Sequence, residues 1–531
     1  MSARKVNKIF TSEDAQKNFK HHVSQSSSIV TVAVTLGLFL LRLTGRKLRR
    51  IPILKVFYKP TMSLVSMHNL AAKNGLRLPG KNDLNDNTLD ECCFADSDER
   101  VRDLIIIGSG PGGAIAARDA CESDLDFLVI EKGKHVDKRI SSHSVEQMAR
   151  HFRAGGQELI LSWPLITFAQ GESWGGGSSI NSGLYHGIPN QVAEDWANAL
   201  GISVKDLDSF QPKVASYLNV EKQESNNLGL YKDSPIIKMK ANLGWSGGVI
   251  PRWRRYHDSE NYTHYGVAET LLENVAREKI ALEHEVESLM VMDDKVRLKV
   301  TGKKCSHYLF AYNVCISAGV VSTPKILIRS KLAKPRDFYF QFHAMVKEIG
   351  RFSTEVNNLI DIDPHQIWTD DLTMKIGAAV GTPELLTAVM ESKGIADQSD
   401  FANLSSLYVS VPSHGRNGLL SFAGNVLPYS VPNSKMKNSL KGAQEVLRKS
   451  IVDVGGKLLG DDSLSVSTVH VFGSMPIGKS TLIDNRGYLK GTGKRVYIRD
   501  ASLLPTHPLV NPQGPLMQLL EALSASQKNE I

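Results

Sequence analysis

Cysteine is scarce in this chain: five residues in 531, namely Cys92, Cys93, Cys121, Cys305 and Cys315. The count is odd, two are adjacent, and no C-x-x-C pair or Cys/His cluster occurs. A disulfide scaffold and a zinc site are therefore excluded, and a reducing compartment is favoured. No internal repeat and no low-complexity tract is present, which excludes solenoids and repeat arrays. Long apolar runs are missing too: the strongest, Ile29–Leu41, has thirteen residues, short of the roughly 20 that span a bilayer. Aromatics make up only 7% of the chain.

Net positive charge is confined to the N-terminal segment. Residues 1–60 hold twelve Lys/Arg against two acids, a charge of +10 where the whole chain carries +8, so the remainder stands at −2. A basic groove for nucleic acid is not expected on such a body. The basic segment surrounds the apolar run, and no charged residue lies between Val23 and Leu41. Residues 1–60 therefore read as a candidate membrane anchor, with the catalytic body in the cytoplasm, since more Lys/Arg follow the run than precede it. A cleaved signal peptide fits less well, because no small-x-small site follows. Residues 61–99 read as an irregular linker, with a loop at 80–87.

What is present is a nucleotide fingerprint. The apolar run Leu104–Ile107 reads as a buried strand and leads into Gly108-Ser109-Gly110-Pro111-Gly112-Gly113; an Ala-rich helix follows, then a second strand, Phe127–Ile130, ending at Glu131. Gly108 permits the turn off the strand, Gly110 lets a pyrophosphate approach the backbone, and Gly113 lets helix and strand pack closely. The helix N-terminus offers N–H groups to phosphate, and Glu131 suits a ribose hydroxyl. The unit specifies a dinucleotide, without separating FAD from NAD.

Three further segments carry a family resemblance: Ser173-Trp174-Gly175-Gly176-Gly177-Ser178-Ser179-Ile180-Asn181-Ser182-Gly183; Ser317-Ala318-Gly319-Val320-Val321-Ser322-Thr323-Pro324; and Val496-Tyr497-Ile498-Arg499-Asp500-Ala501-Ser502-Leu503-Leu504-Pro505, followed by Val510-Asn511-Pro512. With the first fingerprint they resemble, over residues 100–531, the glucose–methanol–choline (GMC) flavoprotein oxidoreductases, most of all the cholesterol-oxidase and long-chain-alcohol-oxidase branch. The resemblance implies FAD, and an α/β fold in which a Rossmann-type FAD domain of discontinuous segments (100–190, 241–330 and 456–531) carries a sheet-based substrate domain (191–240 and 331–455). It places Gly176, Gly177, Ser178 and Asn181 beside the flavin ring, Val286 at adenine and Asp500 near the ribityl and pyrophosphate groups. Some members bind flavin covalently through a His in the glycine-rich loop; none lies between Gly171 and Tyr185, so a non-covalent flavin is expected. Pro512 opens an apolar stretch, Leu516–Leu523, that reads as a helix whose N-terminus would face the flavin.

Alcohol oxidation needs a base, and histidine suits that task near neutral pH. Of sixteen histidines, His470 stands in His470-Val471-Phe472-Gly473-Ser474-Met475-Pro476-Ile477-Gly478, which resembles the family's H-x-x-G-[TG]-x-x-x-G. Ser474 replaces Thr or Gly, and Met475-Pro476-Ile477 depart from the Arg-Met or Cys of relatives. Asn511 matches the second catalytic position. The expected pair is His470 as base or substrate orienter and Asn511 as hydrogen-bond partner of the substrate oxygen, with no metal. His343, His365 and His507 read as ordinary core, surface or loop histidines, and Arg252, Arg254 and Arg255 as a solvated loop. Pocket specificity is expected from residues 190–250 and 331–455. The expected activity is oxidation of a CH–OH group, on an alcohol that the apolar N-terminal run tilts toward the lipophilic, with O2 or an electron carrier as acceptor. A lyase that keeps FAD, and a membrane-attached dehydrogenase component serving a partner, remain alternatives.

Overall fold

The computed structural model describes residues 9–24, 38, 55–74, 76, 100–138, 140–156, 158–162, 165–220, 231, 233–256, 262–302, 306–395, 400–422 and 425–528. The continuous apolar runs behave as strands covered on both faces. Val101–Ile107 and Phe127–Ile130 pair in parallel, from Leu104↔Phe127 to Ile107↔Ile130, and Ser306–Ile316 lies parallel on the other side of Val101–Ile107. Ile280–Ala281 extends one edge and Val496–Ile498 the other, both parallel. Val296–Thr301 and Glu285–Val291 add an antiparallel meander to this seven-stranded sheet. The fingerprint helix, Pro111–Glu122, packs on it through Ala114, Ile115 and Ala117. The Rossmann-type unit is thus assembled from segments spread between residues 101 and 498, as the sequence led one to expect.

A second, mixed sheet has ten strands among the described residues. Its central strand, Gln341–Arg351, runs antiparallel to Leu404–Pro412 from His343↔Pro412 to Arg351↔Leu404. Along its other edge it pairs in turn with Lys457–Leu459, Val466–Thr468 and Val471–Phe472. That arrangement brings the segment around residue 470 beside His343, far away in sequence.

The N-terminal reading needs correction. Residues 55–73 form a helix, Lys55–Lys73, where an irregular linker was expected from residue 61. Its apolar face, Leu64, Val65 and Met67, packs with Phe10 and Phe19 of the preceding segment and with Val145 and Met148 of the catalytic body. Helix Glu13–Ser24 is tied down by His22, whose Nε2 bonds the Gly155 carbonyl oxygen and whose Nδ1 lies 3.0 Å from His68 Nε2. Gly155 has φ +62°, and a Cβ there would press on the His22 ring. The apolar run Ile29–Leu41 lies outside the described residues apart from Leu38, as does the loop at 80–87. Among the described residues no helix is long and apolar enough to cross a membrane, so the expected anchor finds no support.

Candidate active site

One cavity of about 930 Å³ opens beyond the carboxyl ends of the parallel strands, under the face of the second sheet. This is where open α/β sheets bind ligands. Its walls include Gly108, Gly110, Glu131, Gly176, Gly177, Ser178, Asn181, Val286, Asp500, Asn511, Pro512 and His470. Every candidate from the sequence is there except Gly113, which packs behind the wall.

The glycines divide by task. Gly108 has φ +92°, and a side chain at Gly113 would collide with the Gly108 carbonyl oxygen, so both serve the strand–turn–helix packing. Gly110 and Gly177 differ: a Cβ on either would meet nothing within 4 Å, while one on Gly176 would lie 2.9 Å from the Gly110 Cα. The two glycine-rich loops therefore touch, and both turn bare backbone toward open space. No side chain caps the first turn of Pro111–Glu122, leaving its N–H groups for an anion.

The acids are pre-ordered. Glu131 accepts from the Ser109 N–H (2.9 Å), the Ser109 hydroxyl (2.7 Å) and the Gly133 N–H (2.8 Å). Asp500 accepts from the Gly319 N–H (2.9 Å), the Thr323 hydroxyl (2.5 Å) and the Ser502 N–H (2.8 Å), so it fixes the 317–323 turn. Burial raises the pKa of both carboxyls. Val286 lies on Glu285–Val291, one element later than the expected 282–286 strand, and pairs with Val300. Pro512 precedes a helix, Gln513–Lys528, longer than expected at both ends; its carbonyl accepts the Leu516 N–H.

Around His470 the structure adds what the motif lacked. His470 Nδ1 lies 2.8 Å from His343 Nδ1, with the rings edge to face. His507 stacks against His343, ring centroids 4.3 Å apart, and takes a hydrogen bond on Nδ1 from the Leu509 N–H. His343 and His507 were read as unremarkable; they stand directly behind the candidate base. Burial, reinforced by Lys375, His186 and His507, holds the His470 pKa well below the ordinary histidine value, so the ring is neutral at pH 7. Lys375 gave no signal in the sequence. It is 1% exposed, donates to Asn511 Oδ1 over 2.6 Å, and is held down by burial to about 7. Among the described residues no group of three or more His, Cys, Asp or Glu is arranged to hold a metal ion.

Two more supports were missed. Gln513 donates to the Ser178 hydroxyl (2.9 Å) and accepts from the Asn181 amide (2.7 Å), joining the glycine loop to the C-terminal helix. Arg252 and Arg254, expected in solvent, are buried; both pair with Asp361, at 2.8 and 2.9 Å, and Arg254 donates to the Asn181 carbonyl (2.8 Å). His365, 7% exposed, bonds Asp363 at 2.7 Å. Among the described residues, none of 190–250 contributes to the cavity wall, whereas Ser63, Leu64 and Met67 of the N-terminal helix do.

Residues 125–351 match the family model of the GMC oxidoreductases. An uncharacterized GMC-type oxidoreductase of Sinorhizobium fredii is 24% identical over 477 residues, 78% of this chain and 92% of that one. The chain carries a GMC oxidoreductase domain over residues 125–351. It is an FAD-dependent oxidoreductase acting on CH–OH donors, and GMC proteins generally bind FAD. A long-chain-alcohol oxidase of Arabidopsis thaliana is 28% identical over 114 residues, 21% of this chain and 15% of that one. The crystal structure of pyridoxine 4-oxidase from Mesorbium loti superposes with a TM-score of 0.64 at 15% identity, covering 80% of this chain and 99% of that one, which establishes a shared fold. The open cradle at Gly110 and Gly177 and the uncapped helix fit a dinucleotide of the GMC kind.

Proposed function

We propose that the chain oxidises the CH–OH group of a small, largely apolar alcohol, with His470 taking the hydroxyl proton at Nε2 and Asn511 orienting the substrate oxygen. FAD, bound without a covalent link, supplies the hydride acceptor, and O2 or an electron carrier removes the electrons. Gly110, Glu131, Gly176, Gly177, Ser178, Asn181, Val286, Asp500 and Pro512 would hold it.

The His343–His470 bond carries this reading. One of the two facing Nδ1 atoms must carry the hydrogen. When that hydrogen sits on His470, its Nε2 keeps a lone pair for a substrate proton, and the low pKa keeps the ring neutral until the proton arrives. Lys375 supports the second role: with its Nζ–H donating to Asn511 Oδ1, the Asn511 amide nitrogen is left as the free donor. The cavity walls near the N-terminal helix, including Leu64, Met67, Met148, Phe152, Leu385 and Val389, are apolar and support a lipophilic substrate.

The test is an anaerobic absorbance titration of the purified flavoprotein with a panel of alcohols. Bleaching of the oxidised band by one class is expected. A band that no alcohol bleaches would overturn the reading in favour of lyase chemistry. Admission of O2 to the bleached protein then separates oxidase from dehydrogenase.

A further inference from the structure

Six lysines and arginines line the cavity: Lys132, Arg153, Lys325, Arg329, Lys347 and Lys393. Five meet a carboxylate. Lys132 pairs with Glu172 at 2.9 Å, Arg153 with Glu158 at 3.1 Å, Lys325 and Arg329 with Glu285 at 3.0 and 3.6 Å, and Lys393 with Glu348 at 2.7 Å. Lys347 alone has no such partner among the described residues. Its sequence neighbour Glu348 projects to the opposite face of the strand, where Lys393, Arg448 and Gln444 saturate it. The acids on either side of the cavity residue Ile362, Asp361 and Asp363, are bound to Arg252 and Arg254, and to His365. A cation withdrawn from bulk water is costly unless an anion answers it, and burial lowers the Lys347 pKa accordingly.

Its position is defined by the strand. His343, Met345 and Lys347 alternate onto one face of Gln341–Arg351. Four residues separate Lys347 from the histidine that bonds His470, about 13 Å of strand. Tyr408 lies directly opposite Lys347 on one neighbouring strand. On the other, the Met345↔Ser467 register continued by two residues brings Ser465 opposite it, and both Tyr408 and Ser465 line the cavity. Between the two polar points on that face the wall is Met345, flanked by Ser467 on the neighbouring strand.

We infer that Lys347 is an anion-binding subsite, and that the substrate is an amphiphile carrying its alcohol at one end and an acidic head group at the other, joined by an apolar spacer. This rests on the alcohol-oxidation reading for the alcohol end only; the anion site stands or falls by itself.

The experiment compares the wild-type holoenzyme with Lys347→Met and Lys347→Arg. Binding of dodecanoate and of dodecanol, neither needing turnover at an ω-hydroxyl, is measured by calorimetry, and flavin content and spectrum are recorded for each protein. Wild type is expected to bind dodecanoate about ten-fold or more tighter than dodecanol, the range for a hydrogen bond to a charged group; Lys347→Met should lose that preference with flavin intact, and Lys347→Arg should restore it. Tighter binding of dodecyl phosphate than of dodecanoate would support the site and name phosphate as its head group. Equal affinity for acid and alcohol in wild type, or an undiminished preference in Lys347→Met, would overturn it, as would loss of flavin from Lys347→Met, which would assign the lysine to the cofactor. Anaerobic reduction by ω-hydroxydodecanoate and by dodecanol separates the two readings. Dodecanoate held through Lys347 with no bleaching by either alcohol retains the anion site and removes alcohol oxidation. Equal bleaching by both, unchanged in Lys347→Met, does the reverse.

Discussion

Lys375 donates to Asn511 Oδ1 over 2.6 Å from a fully enclosed position, so a buried lysine holds the oxygen end of the Asn511 amide. A lysine with no carboxylate beside it is a poor structural element. Replacing such a group by an apolar side chain of similar size is often neutral or stabilising. Lys375→Met is therefore expected to melt at the same or a higher temperature, with a gain of up to about 2 kcal/mol, while flavin reduction slows by about ten-fold or more as Asn511 loses its orientation. A coupled fall in stability and rate would show a structural role only.

His470→Ala should keep a yellow, folded protein and slow the reductive half-reaction by about 10²–10⁴-fold. His343→Gln leaves a hydrogen-bonding group near His470 Nδ1, so a smaller loss of about ten-fold and a shifted pH profile are expected. Stopped-flow bleaching measures both. Near-normal rates in His470→Ala would remove it from the chemistry.

The glycines should respond oppositely. Gly110 has φ −61° and open space before it, so Gly110→Val should fold but fail to retain FAD, read as the flavin-to-protein absorbance ratio. Gly113→Ala drives a methyl into the Gly108 carbonyl and should cost folding itself, by about 1–3 kcal/mol, read by chemical denaturation. A fully flavinylated Gly110→Val would count against the phosphate cradle.

Docking of the N-terminal helices should depend on pH. Burial lowers His22 from 6.5 to about 4, and His68 also well below its ordinary value. A depressed histidine binds its proton first in the undocked or unfolded state. The stabilisation is therefore complete above pH 6.5 and is lost as pH falls toward 4. The hydrogen-exchange protection factor in Lys55–Lys73, corrected for the intrinsic rate at each pH, is expected to fall about ten-fold or more between pH 7.5 and 5, and His22→Gln to flatten that dependence. Equal protection at both pH values would discount the pair.

Local chemistry made much of this legible. Gly108, Gly110 and Gly113 announce themselves because a turn, a close approach and a helix–strand contact each demand a missing side chain, and the flanking strands follow from unbroken apolar runs. His470 and Asn511 were visible through a motif. Lys375, His343, His507 and Gln513 were not, because their roles come from contacts between segments far apart in the chain. Lys375 and His343 sit on different strands of one sheet, and no periodicity foretells which residues will meet there. The arginines at 252 and 254 misled for the related reason that Asp361, their buried partner, lies over a hundred residues away. Helix Lys55–Lys73 was hidden by the polar residues beyond it, and its purpose becomes plain only once Pro383–Ser392 lies against it.

That last contact bears on how the protein is made. The face of Leu64, Val65 and Met67 leaves the ribosome about 310 residues before Pro383–Ser392 exists to cover it, an interval of about 15–60 s at ordinary elongation rates. Throughout that time the nascent chain carries an apolar surface with only part of its native cover, so synthesis, more than the finished fold, is the stage at which this polypeptide depends on chaperones.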